Sequence, residues 1–189
     1  PIMNDKTIHV ATKNASGTQS SNNILMRSIF NMGVPVGGKN LFPSNIAGLP
    51  TWFTIRVNKE GHAGRKKETD WLIAMNDDSI EEDIDELHPG GVFMYHTALP
   101  FPDAKKRSDV VYYPVPFTEL SNSSFTDARL KKLLTNMIYV GAAAQLLNID
   151  KKALDDAIKF QFASKPKAVP LNQQAIDIGF KYAAENLKK

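Results

Sequence analysis

Cysteine is absent from this chain of 189 residues. That excludes disulfides, thiolate nucleophiles and cysteine-ligated iron–sulfur clusters within it, and makes a cytoplasmic address the expectation. No apolar run approaches the roughly 20 residues that a membrane helix requires. The opening stretch Pro1–Lys6 lacks the apolar core of a signal peptide, so no membrane is expected as a partner. Charge of one sign is scarce as well. The formal balance is +3, and nucleic-acid binders concentrate their cations on one face, so no nucleic acid is expected either. A G-x-G-x-x-G fingerprint and a Walker lysine are missing, as are internal repeats and low-complexity tracts. What remains is an ordinary globular composition, 42% hydrophobic and 23% charged, long enough to bury a core.

The residues that are present alternate between strand and helix. Thr7–Thr12 is β-branched and predicts a first strand. A small polar loop, Lys13–Ser21, leads to Ile24, Leu25, Ser28, Ile29 and Met32 at helical spacing, and Gly33 ends that helix. Val34–Phe42 and Thr51–Asn58 follow, separated by a loop stiffened by Pro43 and Pro50. Trp52, Phe53 and Trp71 are expected in the core. Asp70–Met75 predicts a strand covered on both faces, and Asp77–Leu87 an acidic helix with Ile80, Ile84 and Leu87 inside. Pro89-Gly90-Gly91 is expected to turn the chain into the strand Val92–Tyr95, and the proline-interrupted strand Val110–Pro116 should lie at an edge. From Asp127 onward the pattern is helical. One apolar stripe comprises Leu130, Leu133, Leu134, Met137, Ile138, Gly141 and Ala144, with Gly141 suited to close packing. Asp150 is expected to cap a helix through Phe160, and a last helix should run from about Asn172 to Leu187. The fold class is therefore α/β, a mostly parallel Rossmann-like sheet with helices on its faces over residues 1–118, followed by a mainly helical part over 119–189.

Candidate chemistry is sparse. Ser16-Gly17-Thr18-Gln19-Ser20 sits where a doubly wound fold binds its ligand, with hydroxyls and backbone N–H groups suited to an anion; the alternative is a decorated helix cap. Arg65-Lys66-Lys67 and Lys105-Lys106-Arg107 are basic clusters suited to a phosphate-rich ligand such as coenzyme A or to an acidic partner, or else to solvent. Asn76, at a strand's carboxyl end, reads as a ligand contact or as a helix N-cap. None of His9, His62, His88 and His96 has a companion at metal-ligand spacing, and the acidic residues between Asp77 and Glu86 read as a largely solvated face. No catalytic residue and no metal site is expected.

With these residues laid out, the chain resembles the gamma domain of the 2-oxoacid:acceptor oxidoreductases, of the kind that begins the alpha subunit. The likeness lies in Ser16-Gly17-Thr18-Gln19, where the family has a Gly-Gly-Gln-Gly segment. It continues in Phe42–Phe53, Asp70–Asn76, Asn136–Ala142 with Leu146-Leu147 and Ile149-Asp150, and in Phe162, Lys165, Asn172 and Ala175. The family's glycines are replaced here by Ala15, Thr18 and Ser20, whose side chains crowd a backbone grip on phosphate. The resemblance implies a multi-part enzyme that uses thiamine diphosphate, magnesium, 4Fe-4S clusters and coenzyme A to convert pyruvate, 2-oxoglutarate or a related acid to its acyl-CoA, with ferredoxin as electron acceptor. This chain, holding none of those cofactors alone, is then a component that packs against other subunits or domains and lines the coenzyme A entrance through Ser16, Gly17, Thr18, Gln19, Ser44, Asn45, Asn76, Arg65 and Lys66. Whether it is part of a longer alpha subunit or a subunit of its own stays open. The competing readings are a self-standing nucleotide- or flavin-binding α/β enzyme and a pure scaffold.

Overall fold

A computed structural model describes residues 6–13, 18–41, 50–57, 69–75, 80–100 and 106–188. Within them the chain forms two compact units. One, of Met3–Ser16 and Val36–Pro116, holds a six-stranded sheet and one short helix; the other, of Pro1–Ile2, Gly17–Pro35 and Phe117–Lys189, is helical.

The strands are β1 (Lys6–Lys13), β2 (Val36–Leu41), β3 (Pro50–Val57), β4 (Thr69–Ala74), β5 (Leu87–His96) and β6 (Val111–Val115), arranged β2-β3-β1-β4-β5-β6. β1, β4, β5 and β6 pair in parallel, and β3 is antiparallel to both β1 and β2. Only β3 therefore runs against the rest. β4 carries Trp71-Leu72-Ile73-Ala74 without a polar break and is buried throughout, as an apolar run in a parallel pairing should be. β6 lies at the edge, where the missing N–H of Pro114 disrupts no ladder on its outer side. Among the described residues of the sheet unit the one helix, α2 (Ile80–Asp85), lays Ile80 and Ile84 on Ala11, Leu72, Ala74, Leu87, Phe93 and Tyr95. That face is further filled by Phe93 stacked on Tyr95 and met edge-on by Tyr112.

Pro89-Gly90-Gly91 is not a turn before the strand but lies inside β5, and His88 lies there too rather than at a helix end. The pairing with β4 slips between Thr69↔Leu87 and Trp71↔Val92, so β5 absorbs extra residues as a bulge. Gly90 takes φ +84°, and a Cβ on Gly91 would stand 2.8 Å from the His88 carbonyl oxygen, so both positions need glycine. The acidic stretch is also less exposed than expected, since Asp83 is buried.

The helical unit comprises α1 (Gln19–Asn31), α3 (Phe117–Ser124), α4 (Ala128–Leu146), α5 (Lys151–Gln161) and α6 (Val169–Asn186). α1 packs on α5, where the Asn31 side chain donates to the Ala153 carbonyl, and ends before Gly33 at φ +81°. α4 and α6 meet at Gly141 and Gly179. A Cβ on Gly141 would overlap the Ile176 carbonyl, and one on Gly179 the Ile138 carbonyl. The expected stripe on α4 is wrong at its amino end. Leu130 and Leu133 are 41% and 43% exposed, whereas Asn136–Ala144 is buried on every side, because the helix centre is enclosed and its first turns project. α3 has little intrinsic helical bias in Thr-Glu-Leu-Ser-Asn-Ser-Ser and forms by burying Phe117 and Ser121, one turn apart. α6 starts earlier than Asn172, with Pro170 in its first turn, where no N–H is needed. Asp127 caps α4 by accepting from the Leu130 N–H, but Asp150, at the same position of α5, makes no such bond. No described helix is long and apolar enough to cross a membrane.

Candidate functional site

β1 ends at Lys13, β2 at Leu41 and β4 at Ala74, and antiparallel β3 begins at Pro50 opposite Lys13. Ala11 pairs with Ala74, and the Met75 N–H donates to the Ala11 carbonyl at 2.9 Å, so β1 and β4 run out together. The strand ends that flank segments 14–17, 42–49 and 76–79 thus share the carboxyl edge of the sheet, where an open α/β sheet takes its ligand. Ser16, Gly17, Ser44, Asn45 and Asn76 lie outside the described residues. So do Arg65 and Lys66, and their segment is flanked by Val57, paired with Lys6 at the start of β1, and by Thr69 at the start of β4. Those flanks sit at the opposite, amino edge.

Thr18 and Gln19 open α1. Thr18 occupies the N-cap position at φ −84°, ψ −9°, a conformation open to any residue, so its replacement of a family glycine brings no backbone strain. Its hydroxyl makes no capping bond; the Thr18 carbonyl accepts from the Asn22 N–H at 3.0 Å. Gln19 is exposed, and its amide donates to Asn23 Oδ1. Of the second basic cluster, Arg107 is not available for a phosphate. Its guanidinium donates to the Ile84 carbonyl in the last turn of α2, to the Leu87 carbonyl at the start of β5 and to both oxygens of Asp109, an arrangement that favours a cation at a helix C-terminus. The hydrogen bond from Arg107 holds the Asp109 carboxyl below its ordinary range. Lys106 stands 5.7 Å above the Tyr112 ring.

A polar cluster that sequence reading missed lies on the α2 side of the sheet. His9 on β1 and Thr54 on β3 are register partners, and His9 Nδ1 is 3.1 Å from Thr54 Oγ1. Trp52, two residues along β3, donates its indole N–H to Asp83, 3.1 and 3.2 Å from the two carboxylate oxygens. His9 Nε2 is 3.9 Å from Asp83 Oδ1. His9 and Asp83 are 7% and 5% exposed, and the aromatic rings of His9 and Trp52 are 6.3 Å apart. A signal was present: Ile80, Asp83, Ile84 and Leu87 fall on one helical face, which puts Asp83 among the inward residues. In the helical unit the buried Tyr139 hydroxyl donates to Asn22 Oδ1 at 2.6 Å, and burial pushes that phenol well above its usual range.

Comparisons with known proteins point one way. The family model for pyruvate ferredoxin/flavodoxin oxidoreductase matches residues 7–182. The alpha subunit of 2-oxoacid:ferredoxin oxidoreductase 2 of Aeropyrum pernix is 21% identical over 97% of this chain and 34% of its own length. Among solved structures, the 2-oxoglutarate:ferredoxin oxidoreductase of Magnetococcus marinus, with 2-oxoglutarate, coenzyme A and succinyl-CoA bound, superposes with a TM-score of 0.85 at 24% identity, over 99% of this chain and 32% of that one. The keto/oxoacid ferredoxin oxidoreductase gamma subunit of Geobacter sulfurreducens matches with a TM-score of 0.75 at 16% identity, over 97% of this chain and 98% of that one. The chain thus spans about a third of the Aeropyrum relative, and the same α/β architecture also occurs as a separate gamma subunit. On the extent of that family match, the chain belongs to the pyruvate ferredoxin/flavodoxin oxidoreductase family.

Proposed function

We propose that this chain is the non-redox component of a 2-oxoacid:ferredoxin oxidoreductase located in the cytoplasm, and that the carboxyl edge of its sheet lines the coenzyme A entrance. The observation that carries the reading is the convergence at one edge of the strand ends flanking Ser16 and Gly17, Ser44 and Asn45, and Asn76. In the overall reaction a 2-oxoacid loses CO2, two electrons leave for ferredoxin, and the coenzyme A thiol takes the acyl group. Thiamine diphosphate with magnesium supplies the decarboxylation, and 4Fe-4S clusters carry the electrons. No residue here fits such a cluster, because the chain has no thiolate to offer it. Its own work is to dock on the parts that hold those groups and to present amide and hydroxyl side chains to an anionic cofactor. Ser16, Gly17, Thr18, Gln19, Ser44, Asn45 and Asn76 are the proposed contacts at that edge; Arg65 and Lys66, whose flanking strand ends lie at the opposite edge, fall outside the set.

The test is coenzyme A affinity in the assembled enzyme. Asn45→Ala and Asn76→Ala are each expected to raise the apparent Kd for coenzyme A several-fold while leaving assembly intact. Unchanged affinity in both variants overturns the entrance role and leaves a scaffold.

A further inference from the structure

The polar cluster under α2 has the make-up of a metal site, and no part of the oxoacid chemistry calls on it. A ring nitrogen of His9 and one carboxylate oxygen each of Asp83 and Glu86 all lie within 4.8 Å of one another, and His9 Nε2 is 3.9 Å from Asp83 Oδ1. They come from two different elements, the imidazole from β1 and the carboxylates from the last turn of α2 and the residue after it, three positions apart and so on one helical face. We propose that His9, Asp83 and Glu86 bind a divalent transition-metal ion of the zinc class.

Three features separate this cluster from a chance gathering of acids. Both buried donors have an orienting partner: Thr54 holds His9 through Nδ1, which turns Nε2 towards the carboxylates, and the Trp52 indole holds Asp83. Metal-binding imidazoles and carboxylates are held by such outer contacts, which select the tautomer and aim the ring. The Glu86 backbone is also fixed, its N–H donating to the Asp83 carbonyl at 3.3 Å and its carbonyl accepting from the Thr69 N–H at 3.0 Å. Its exposed carboxylate is the member that can move. Ligands about 2.1 Å from a tetrahedral zinc ion stand about 3.4 Å apart, so closing the site from donors within 4.8 Å of one another needs movements on the order of 1 Å, with His9 and Asp83 drawing in from 3.9 Å and Glu86 following. The donor set decides the class of ion. One imidazole with two carboxylates suits zinc, cobalt or nickel, whereas calcium and magnesium prefer oxygen ligands alone. Three protein ligands leave a coordination position open on the exposed Glu86 side.

The full chain, stripped with chelator, is titrated with zinc by calorimetry and with cobalt by visible absorption. One equivalent per chain is expected to bind. Glu86→Gln, at an exposed position, should weaken it at least tenfold without moving the metal-free Tm, and His9→Asn should abolish it along with the cobalt spectrum. Thr54→Val, which leaves all three ligands in place, should weaken binding severalfold through loss of the orienting contact. Absence of saturable binding up to millimolar zinc, or full binding in both Glu86→Gln and His9→Asn, overturns the proposal.

Discussion

The sheet unit and the helical unit solve the problem of close packing in different ways. Around α2 the sheet unit buries ionisable side chains and gives them hydrogen-bond partners. Asp83 accepts from Trp52, Asp70 accepts from the Thr7 N–H at 2.9 Å, and Arg107 closes the end of the helix. Between α4 and α6 the helical unit removes side chains altogether, so that backbone meets backbone at Gly141 and Gly179. The first arrangement is tuned by hydrogen-bond chemistry and tolerates conservative change. The second is a steric limit with no room for adjustment.

That contrast sets an order of sensitivity. Gly141→Ala places a methyl group on the Ile176 carbonyl and is expected to cost about 3 kcal/mol, measured by urea unfolding. A cost under 1 kcal/mol would mean that the two helices separate easily, and the contrast would break. Asp83→Ala, with chelator present, leaves the Trp52 N–H without its acceptor and should cost about 2 kcal/mol in the same assay. Helix caps offer a smaller and internally controlled test. Asp127→Ala removes a capping bond to the Leu130 N–H and should cost about 1 kcal/mol, whereas Asp150→Ala, at a cap position with no side-chain bond, should fall within about 0.5 kcal/mol of zero. The smallest effect is electrostatic. The Asp109 carboxyl is lowered from 3.8 by its bond to Arg107. A lowered folded value means that the pair's stabilisation is fully present above 3.8 and is lost as pH falls through the folded midpoint. An NMR titration should place the Asp109 midpoint below 3.8, and Arg107→Gln should return it to the ordinary value.

Local pattern made much of the fold legible. The apolar run of β4, the β-branched and aromatic residues of β6 with Pro114 marking it as an edge, and the helical spacing of Ile24, Leu25, Ser28 and Ile29 each announce their element, because burial and backbone geometry act within a few residues. Gly141 was legible as a site of close approach, but its meeting with Gly179 was not, since nothing local joins positions 38 residues apart. The bulge at Pro89-Gly90-Gly91 was hidden because the same residues suit a turn equally well; only pairing with β4 draws them into β5. The strand ends that share the carboxyl edge were legible from the order of strands and helices. The His9–Trp52–Asp83 cluster was not, since it joins two adjacent strands to a helix that follows a third.

Composition by itself determined that the chain carries no cysteine ligand for an electron-transfer cluster, and periodicity determined most, though not all, of the stretches that form strands and helices. Which of those faces meet was decided only in three dimensions. A strand's side chains alternate whatever lies beside it, but the choice of β3 and β4 as neighbours of β1 is what puts Thr54 next to His9 and brings α2 over both. Long-range pairing carries that information because it is a sum over many weak contacts, and no short segment contains it.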